Sequence, residues 1–340
     1  MKRFLNIWEY TKPGKQDDLK YLSIGCTTYC NLNCSFCSKK GKKAQNLEPQ
    51  LLKSALDDAI RLGLTKVELT GGEPLMYPQF WDMLEYCYNQ NITVLLVSNG
   101  TLINQDTARR LYELRASVSI SLSTLNAKEY EQLTGIKGNF SAVINAAQYL
   151  KDVGFKAHKI PVIGIQSVAL KGNINELEAI GQWCNKNGYL FILNRPIPVG
   201  GLAKNEVLSA KELKDFLDKE SNGNYQVNVP FNLATPCNRL KVGCYIGSDA
   251  RVRPCPAIDI AVGSIKEQKL KNIWNNSPLL KKCREINKHL QGSCARCSQR
   301  EHCYGCRAVA YAVWGSLTAP DPGCFRFKPD KIFNIGAESK

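Results

Sequence analysis

Between about residues 20 and 200 the chain alternates short aliphatic and β-branched runs with longer stretches whose apolar positions recur every three or four residues. The short runs fall at 22–25, 66–70, 93–98, 117–122, 162–170 and 190–194, and the longer ones at 49–62, 78–89, 106–115, 140–153 and 176–186. Such runs predict strands and the longer period predicts helices; their alternation predicts a parallel sheet with crossover helices. In the first helical stretch Leu52, Ala55, Leu56 and Ile60 form the apolar stripe that would face the sheet. Pro49 and Pro78 suit first-turn positions, where a missing N–H costs nothing. Six strand–helix steps are too few to close an eight-stranded barrel, so the expected fold is α/β, a partial (βα)6 TIM-like barrel over 1–205. Its chemistry belongs on the loops after the C-terminal ends of the strands.

The pattern then changes. A connecting segment is expected over 206–236, where Ser209-Ala-Lys-Glu212 is a capping-box helix start. Residues 237–330 are turn-rich and cysteine-dense, and a segment of that size buries too little apolar surface without metal staples. No internal repeat or low-complexity tract is present.

Composition adds compartment and charge. A 44% hydrophobic and 22% charged chain of 340 residues is ordinary for a globular protein, and no apolar stretch approaches the roughly 18 residues of a membrane helix. The start, Met1 to Trp8, lacks the apolar stretch of a signal peptide, so a cytoplasmic location is expected. Fifteen cysteines in a reducing compartment point to metal rather than disulfides. The formal charge of +15 favours an acidic partner, whether peptide, phosphorylated molecule or nucleic acid, with a solvated basic surface as the plain alternative. The run Lys39-Lys40-Gly41-Lys42-Lys43 carries no interleaved aromatics for base stacking, which weighs against nucleic acid.

The sharpest motif is Cys30-Asn-Leu-Asn-Cys34-Ser-Phe-Cys37. Three thiols spaced C-x3-C-x2-C suit three corners of a cubane iron–sulfur cluster, which needs four ligands, and leave one iron for a cofactor or substrate. A zinc knuckle or plain buried thiols are the alternatives. Cys26 offers a rival C-x3-C frame that lacks the third step. Gly71-Gly72-Glu73-Pro74 follows the second strand: the glycines permit close approach of a ligand to backbone, and the glutamate can accept from an ammonium group. Ser98-Asn99-Gly100 and Ser121-Leu-Ser123 end the third and fourth strands, as ribose ligands or as ordinary turn residues.

Together these residues resemble the radical S-adenosylmethionine superfamily over roughly 20–200. Leu133-Thr-Gly135, the stretch from Ile165 to Gly172 and Arg195-Pro-Ile-Pro-Val-Gly-Gly201 look similar to its GTP 3′,8-cyclase branch. The resemblance implies that Cys30, Cys34 and Cys37 hold a 4Fe–4S cluster whose open iron is chelated by the methionine end of S-adenosylmethionine. It also implies that Phe36 lies against adenine, that Gly71, Gly72 and Glu73 receive the amine, and that Ser98, Ser121 and Gln166 reach the ligand from strand ends. Many relatives have an arginine near position 134 for the methionine carboxylate; here Thr134 stands there, leaving Lys137 or Arg195 to substitute.

The C-terminal cysteines resemble the SPASM extension of that superfamily. Its connectivity implies one auxiliary 4Fe–4S cluster on Cys237, Cys244, Cys255 and Cys306 and another on Cys294, Cys297, Cys303 and Cys324, three clusters in all. A zinc ribbon on Cys294, Cys297, Cys303 and Cys306 is the alternative. Three clusters on eleven thiolates would leave the net charge near about +10. Cys87, Cys184 and Cys283 read as small buried hydrophobes. His158, His289 and His302 show no ligand spacing; His302 is expected to be an exposed loop residue rather than a donor to a cluster sulfur.

The expected activity is formation of a 5′-deoxyadenosyl radical that abstracts a hydrogen atom, with a ribosomally made, acidic precursor peptide as leading substrate. A separate leader-recognition protein and a low-potential electron donor are the expected partners. Pro256, directly after Cys255, stands where some relatives that oxidise a protein side chain carry an acidic base, which weighs against that chemistry, although Asp259 is near. The other readings are a radical enzyme acting on a cofactor, tetrapyrrole or sugar precursor, and a non-catalytic iron–sulfur or zinc protein that binds nucleic acid.

Overall fold

The structure, a computed structural model, describes residues 18–202, 207–221, 227–228, 237 and 239–333. The chain start and 14 of the 31 residues of the expected connecting segment lie outside these residues. The order of elements is β1 (Tyr21–Thr27), α1 (Pro49–Arg61), β2 (Lys66–Gly71), α2 (Phe80–Asn89), β3 (Thr93–Ser98), α3 (Gln105–Glu113), β4 (Ser117–Ser121), α4 (Ala127–Thr134), α5 (Phe140–Asp152), β5 (Ile163–Val168), α6 (Ile174–Asn187) and β6 (Leu190–Asn194). There follow α7 (Ala210–Ser221), β7 (Val227–Asn228), α8 (Arg239–Val242), β8 (Gly243–Ile246), β9 (Arg251–Arg253), β10 (Gly263–Ser264), α9 (Leu270–Asn276), α10 (Pro278–Arg284), α11 (Gly292–Ala295) and α12 (Arg307–Trp314).

All six expected strands form, pair in parallel and run in sequence order, and the sheet stays open. Its two faces differ. Leu22, Ile24, Val67, Leu69, Val94, Leu96, Val118, Ile120, Ile163 and Ile165 point to the helical layer, where Leu52, Ala55, Leu56 and Ala59 of α1 meet them. The inner face is apolar only at its base, with Tyr21, Leu95, Val162, Leu190 and Ile192 in a small cluster of their own. Towards the C-terminal ends it carries Ser23, Glu68, Ser119 and Gln166, which bond one another across strands. Burial therefore holds the barrel from outside and below, and leaves its upper interior polar.

The C-terminal region does not sit apart from this sheet. β8 pairs in parallel with the free edge of β1, and β9 and β10 continue antiparallel beyond it, giving the order β10-β9-β8-β1-β2-β3-β4-β5-β6-β7. Pro49 takes the first helical turn as expected, but Pro78 precedes α2, whose N-cap is Gln79; a short 3-10 turn from Pro74 to Met76 occupies the approach. The capping box at α7 forms reciprocally: Ser209 N donates to Glu212 Oε2 at 2.7 Å and Glu212 N to Ser209 Oγ at 3.2 Å.

Candidate active site

A cavity of about 430 Å³ opens at the C-terminal ends of β1 to β6. It is lined by Cys30, Cys34, Phe36 and Cys37 from the loop after β1, Gly71 and Gly72 after β2, Ser98, Ser121 and Gln166 from strand ends, and Arg195 after β6. The structure thus gathers Cys30, Cys34, Cys37, Phe36, Gly71, Gly72, Ser98, Ser121 and Gln166 around one cavity, and leaves Glu73 out of its lining.

The cysteine loop is seated by backbone on three sides. Gly72 N donates to Thr27 O and Glu73 N to Tyr29 O, both at 2.8 Å. A Cβ on Gly72 would lie 2.1 Å from Tyr29 O, so no side chain is tolerated there. From α4, Leu133 O and Thr134 O accept from Ser35 N and Asn33 N at 3.0 and 2.9 Å. Gly201 N donates to Cys37 O at 3.0 Å, while Gly200, at φ +66°, packs against Ser38 where a Cβ would meet backbone at 2.6 Å. Three sequence motifs widely separated along the chain are three contacts with one loop.

The donor set suits a cationic occupant. Cys34 is pushed up to about 12 by burial and then by repulsion from Cys37 and Cys30; the Cys30 thiol is likewise raised, chiefly by burial. Backbone amides already face the sulfurs, Leu32 N to Cys30 Sγ at 3.4 Å and Lys39 N to Cys37 Sγ at 3.3 Å. Among the described residues no group of three Cys, His, Asp or Glu side chains is placed to hold a single metal ion.

Glu73 lies beneath the loop with 0% exposure. Its Oε1 accepts from Ser98 Oγ at 2.9 Å and Leu75 N at 3.2 Å, and its Oε2 from Asn99 N at 2.8 Å. The Ser98 hydroxyl, which also accepts from Gly100 N at 3.0 Å, is thereby engaged. Gln166 is fixed between strands: its Nε2 donates to Ser121 Oγ at 3.0 Å and its Oε1 accepts from Ser119 and Asn194. Of the two carboxylate-binding candidates, Lys137 is exposed on the turn after α4. Arg195 lines the cavity but forms a two-pronged pair with Asp321 at 2.6 and 2.8 Å, both side chains nearly fully buried. Thr134 is turned inward, its hydroxyl donating to Tyr130 O at 2.8 Å.

Several residues at the site escaped the sequence reading. Asn31, Asn99 and Thr101 close a ring of hydrogen bonds at 2.6–2.9 Å, and Asn99 Nδ2 stands 3.8 Å from Cys30 Sγ. Of these, Asn99 was legible in the Ser98-Asn99-Gly100 strand end; Asn31 was signalled only by its place inside the cysteine run, and Thr101 not at all. Glu68 and Arg239 form a second buried pair in the cavity wall, at 2.6 Å, with Ser23 donating to the same carboxylate. Their 171-residue separation left nothing to read. Cys26 lies in the core at 0% exposure, its thiol donating to Thr70 O, away from the other three cysteines.

Among the C-terminal cysteines, Cys255 and Cys306 bear electrostatically on Cys237, and Cys306 on Cys255; Cys294 and Cys303 bear on Cys324. Cys297 is placed by its amide, which donates to Cys294 O, and its sulfur accepts from Gln299 N at 3.5 Å. Asp321 N and Arg307 donate to Cys294 Sγ and Gly305 N to Cys303 Sγ. Cys244 stands in β8 at 2% exposure, packed with the outer core. Cys87, Cys184 and Cys283 are buried as expected, and His302 is exposed.

Comparison with known proteins decides the family. The sequence matches the radical SAM superfamily over residues 24–182 and the SPASM iron–sulfur cluster-binding domain over 237–298, together well over half of the chain. The chain belongs to the radical SAM superfamily. It is 26% identical to the AdoMet-dependent heme synthase of Methanosarcina barkeri, over 90% of this chain and 95% of that one. It is 28% identical to the mycofactocin maturase MftC of Mycolicibacterium smegmatis, over 88% and 80%. The fold matches Streptococcus suis SuiB, solved with its precursor peptide SuiA, at a TM-score of 0.73 and 20% identity, over 94% of this chain and 76% of that one. Membership implies S-adenosylmethionine and iron–sulfur clusters. Among the described residues no helix is long and apolar enough to cross a membrane.

Proposed function

We propose that this radical SAM enzyme takes a hydrogen atom from a ribosomally made precursor peptide during its maturation. When bound, the cluster and S-adenosylmethionine together supply the 5′-deoxyadenosyl radical for that step. Cys30, Cys34 and Cys37 would hold the cluster, with the amides of Leu32 and Lys39 offsetting thiolate charge. Gly71 and Gly72 would let the cofactor's amine meet backbone directly, since Glu73 beneath them is already engaged. Phe36, Ser121 and Gln166 would bound the nucleoside, and Cys294, Cys297, Cys303 and Cys324 would hold a second cluster.

The observation that carries the peptide reading is a groove. The inner cavity shares Ser38, Lys39, Val199, Pro256 and Ala257 with an outer groove of about 700 Å³, so the site continues outward. Lys39, Lys40, Lys42, Lys43 and Arg253 line that groove with Asp249 and Asp259, a surplus of positive charge that suits an acidic chain. Asp259 is a poor base: hydrogen bonds from Arg253 and Lys42 hold it below the usual carboxylate range despite some burial. The heme synthase relatives favour a second reading, an acid-bearing tetrapyrrole in the same groove.

The test is anaerobic reconstitution with S-adenosylmethionine and strong reductant. We expect 5′-deoxyadenosine from the intact protein and none from the Cys30→Ala/Cys34→Ala/Cys37→Ala variant. A precursor peptide encoded beside this gene should be modified, and bind more weakly as salt rises past about 0.15 M. Turnover of a tetrapyrrole with no response to any peptide would establish the second reading.

A further inference from the structure

The cations that line the cavity, Arg195, Arg239 and Lys39, are all engaged. Arg195 is spent on Asp321. Arg239 gives Glu68 two hydrogen bonds, at 2.6 and 3.2 Å. Lys39 turns towards the outer groove, its ammonium 3.1 Å from Tyr245 Oη and 5.0 Å from the centre of that ring. Lys137 is exposed and does not line the cavity. A carboxylate that enters here must therefore find a neutral donor.

Tyr130, on α4, lines the cavity and is 3% exposed, yet its hydroxyl has no hydrogen-bond partner among the described residues. No other residue of the lining carries a buried side-chain nitrogen or oxygen in that condition. An unpaired buried hydroxyl has given up water for nothing, so a bound ligand would complete it. The ring is held in place: its body packs in the main core, with the Phe140 ring centre 5.7 Å away. α4 is itself fixed to the cysteine loop, since Asn33 N and Ser35 N donate to Thr134 O and Leu133 O. Tyr130 and Thr134 are the two buried residues of α4 and share one side of it. The Thr134 hydroxyl is taken by Tyr130 O, which leaves the phenol as the unspent donor of this face. Burial raises that phenol above its ordinary value, so it stays protonated and able to donate.

We propose that the Tyr130 hydroxyl binds the methionine carboxylate of S-adenosylmethionine, in the place a cation would otherwise fill. This rests on the cofactor occupying the cavity at the three-cysteine loop. The contact supplies one hydrogen bond and no charge.

Equilibrium binding of S-adenosylmethionine and of its decarboxylated analogue to the reconstituted full chain tests it, in wild type and in Tyr130→Phe. The variant should bind S-adenosylmethionine about tenfold or more weakly, because a hydrogen bond to a charged group is lost. Both proteins should bind the decarboxylated analogue equally. Without ligand, Tyr130→Phe removes only an unpaired hydroxyl. It should melt no lower than wild type, and keep its iron content and its reduced-cluster electron paramagnetic resonance signal. An equal loss for both ligands, or no loss for either, would overturn the assignment. So would a lower melting temperature or a shifted cluster signal in the ligand-free variant, which would make the phenol a partner of the protein or of the cluster. Lys137→Ala should leave both affinities unchanged; a loss there confined to S-adenosylmethionine would return the carboxylate to a cation. If wild type itself binds neither ligand, the cofactor reading fails and takes this assignment with it, a result distinct from the others.

Discussion

Glu73 separates what a motif names from what a side chain does. Burial pushes its carboxyl up to about 7, even against hydrogen bonds from Asn99 N, Leu75 N and Ser98. Its folded value lies above the ordinary 4.5, so the folded state holds the proton more tightly than the unfolded one. Stability should therefore fall as pH rises from about 4.5 to about 7. Glu73→Gln removes that titration; thermal melts across this range should show the wild-type slope flattened in the variant. Above about pH 7, where the carboxylate is ionised, the variant should also loosen Ser98 and Asn99, since a hydrogen bond to a charged group contributes about 1.5–3 kcal/mol. We expect affinity for S-adenosylmethionine to drop about tenfold or more by equilibrium binding. The GGEP motif was legible as a site; that its glutamate supports the loop from below depended on the burial of this one side chain.

At the scale of elements, the cysteine loop is held by β2, α4 and the segment after β6. Gly72→Ala puts a Cβ against Tyr29 O at a distance that backbone must move to relieve. Displacements of about 1 Å near reacting groups cost on the order of 100-fold in rate. We expect 5′-deoxyadenosine formation to fall by that order, with C-terminal iron unchanged. Gly172→Ala, where an added Cβ meets nothing within 4 Å, is the control and should behave as wild type. The six strands and five of the helices were legible because their apolar periods are long. α4 was not, since only Tyr130 and Thr134 of its eight residues are buried. Strands β7 to β10 are too short to show a period.

For the whole molecule, the Arg195–Asp321 pair ties the end of β6 to the cysteine-rich region, and Asp321 also accepts from Cys306 N at 2.8 Å. Removing one member of a buried pair costs about 3–5 kcal/mol. Asp321→Asn should lower the melting temperature by several degrees, whereas Arg110→Ala, which breaks an exposed pair with Glu85, should cost less than about 1 kcal/mol. Burial would raise the Asp321 carboxyl, but the Arg195 charge and hydrogen bonds outweigh it and hold it low. Its contribution is thus present above the usual carboxylate range and lost as pH falls below about 4. The difference in melting temperature between wild type and Asp321→Asn should narrow there.

The sequence by itself determined the parallel strand order, the open barrel, the cysteine loop and the strand-end residues around it. Each is written locally, in a hydrophobic period or in thiols a few residues apart. Tertiary structure decided which charges are spent. Arg195 and Arg239 are countered by Asp321 and Glu68 across 126 and 171 residues, and no local pattern records a partner at that distance. It also decided that β8 joins the barrel at β1, which fixes the face Cys244 presents. A spacing of cysteines gives their number and order, but the pleat of the strand that carries them sets their direction.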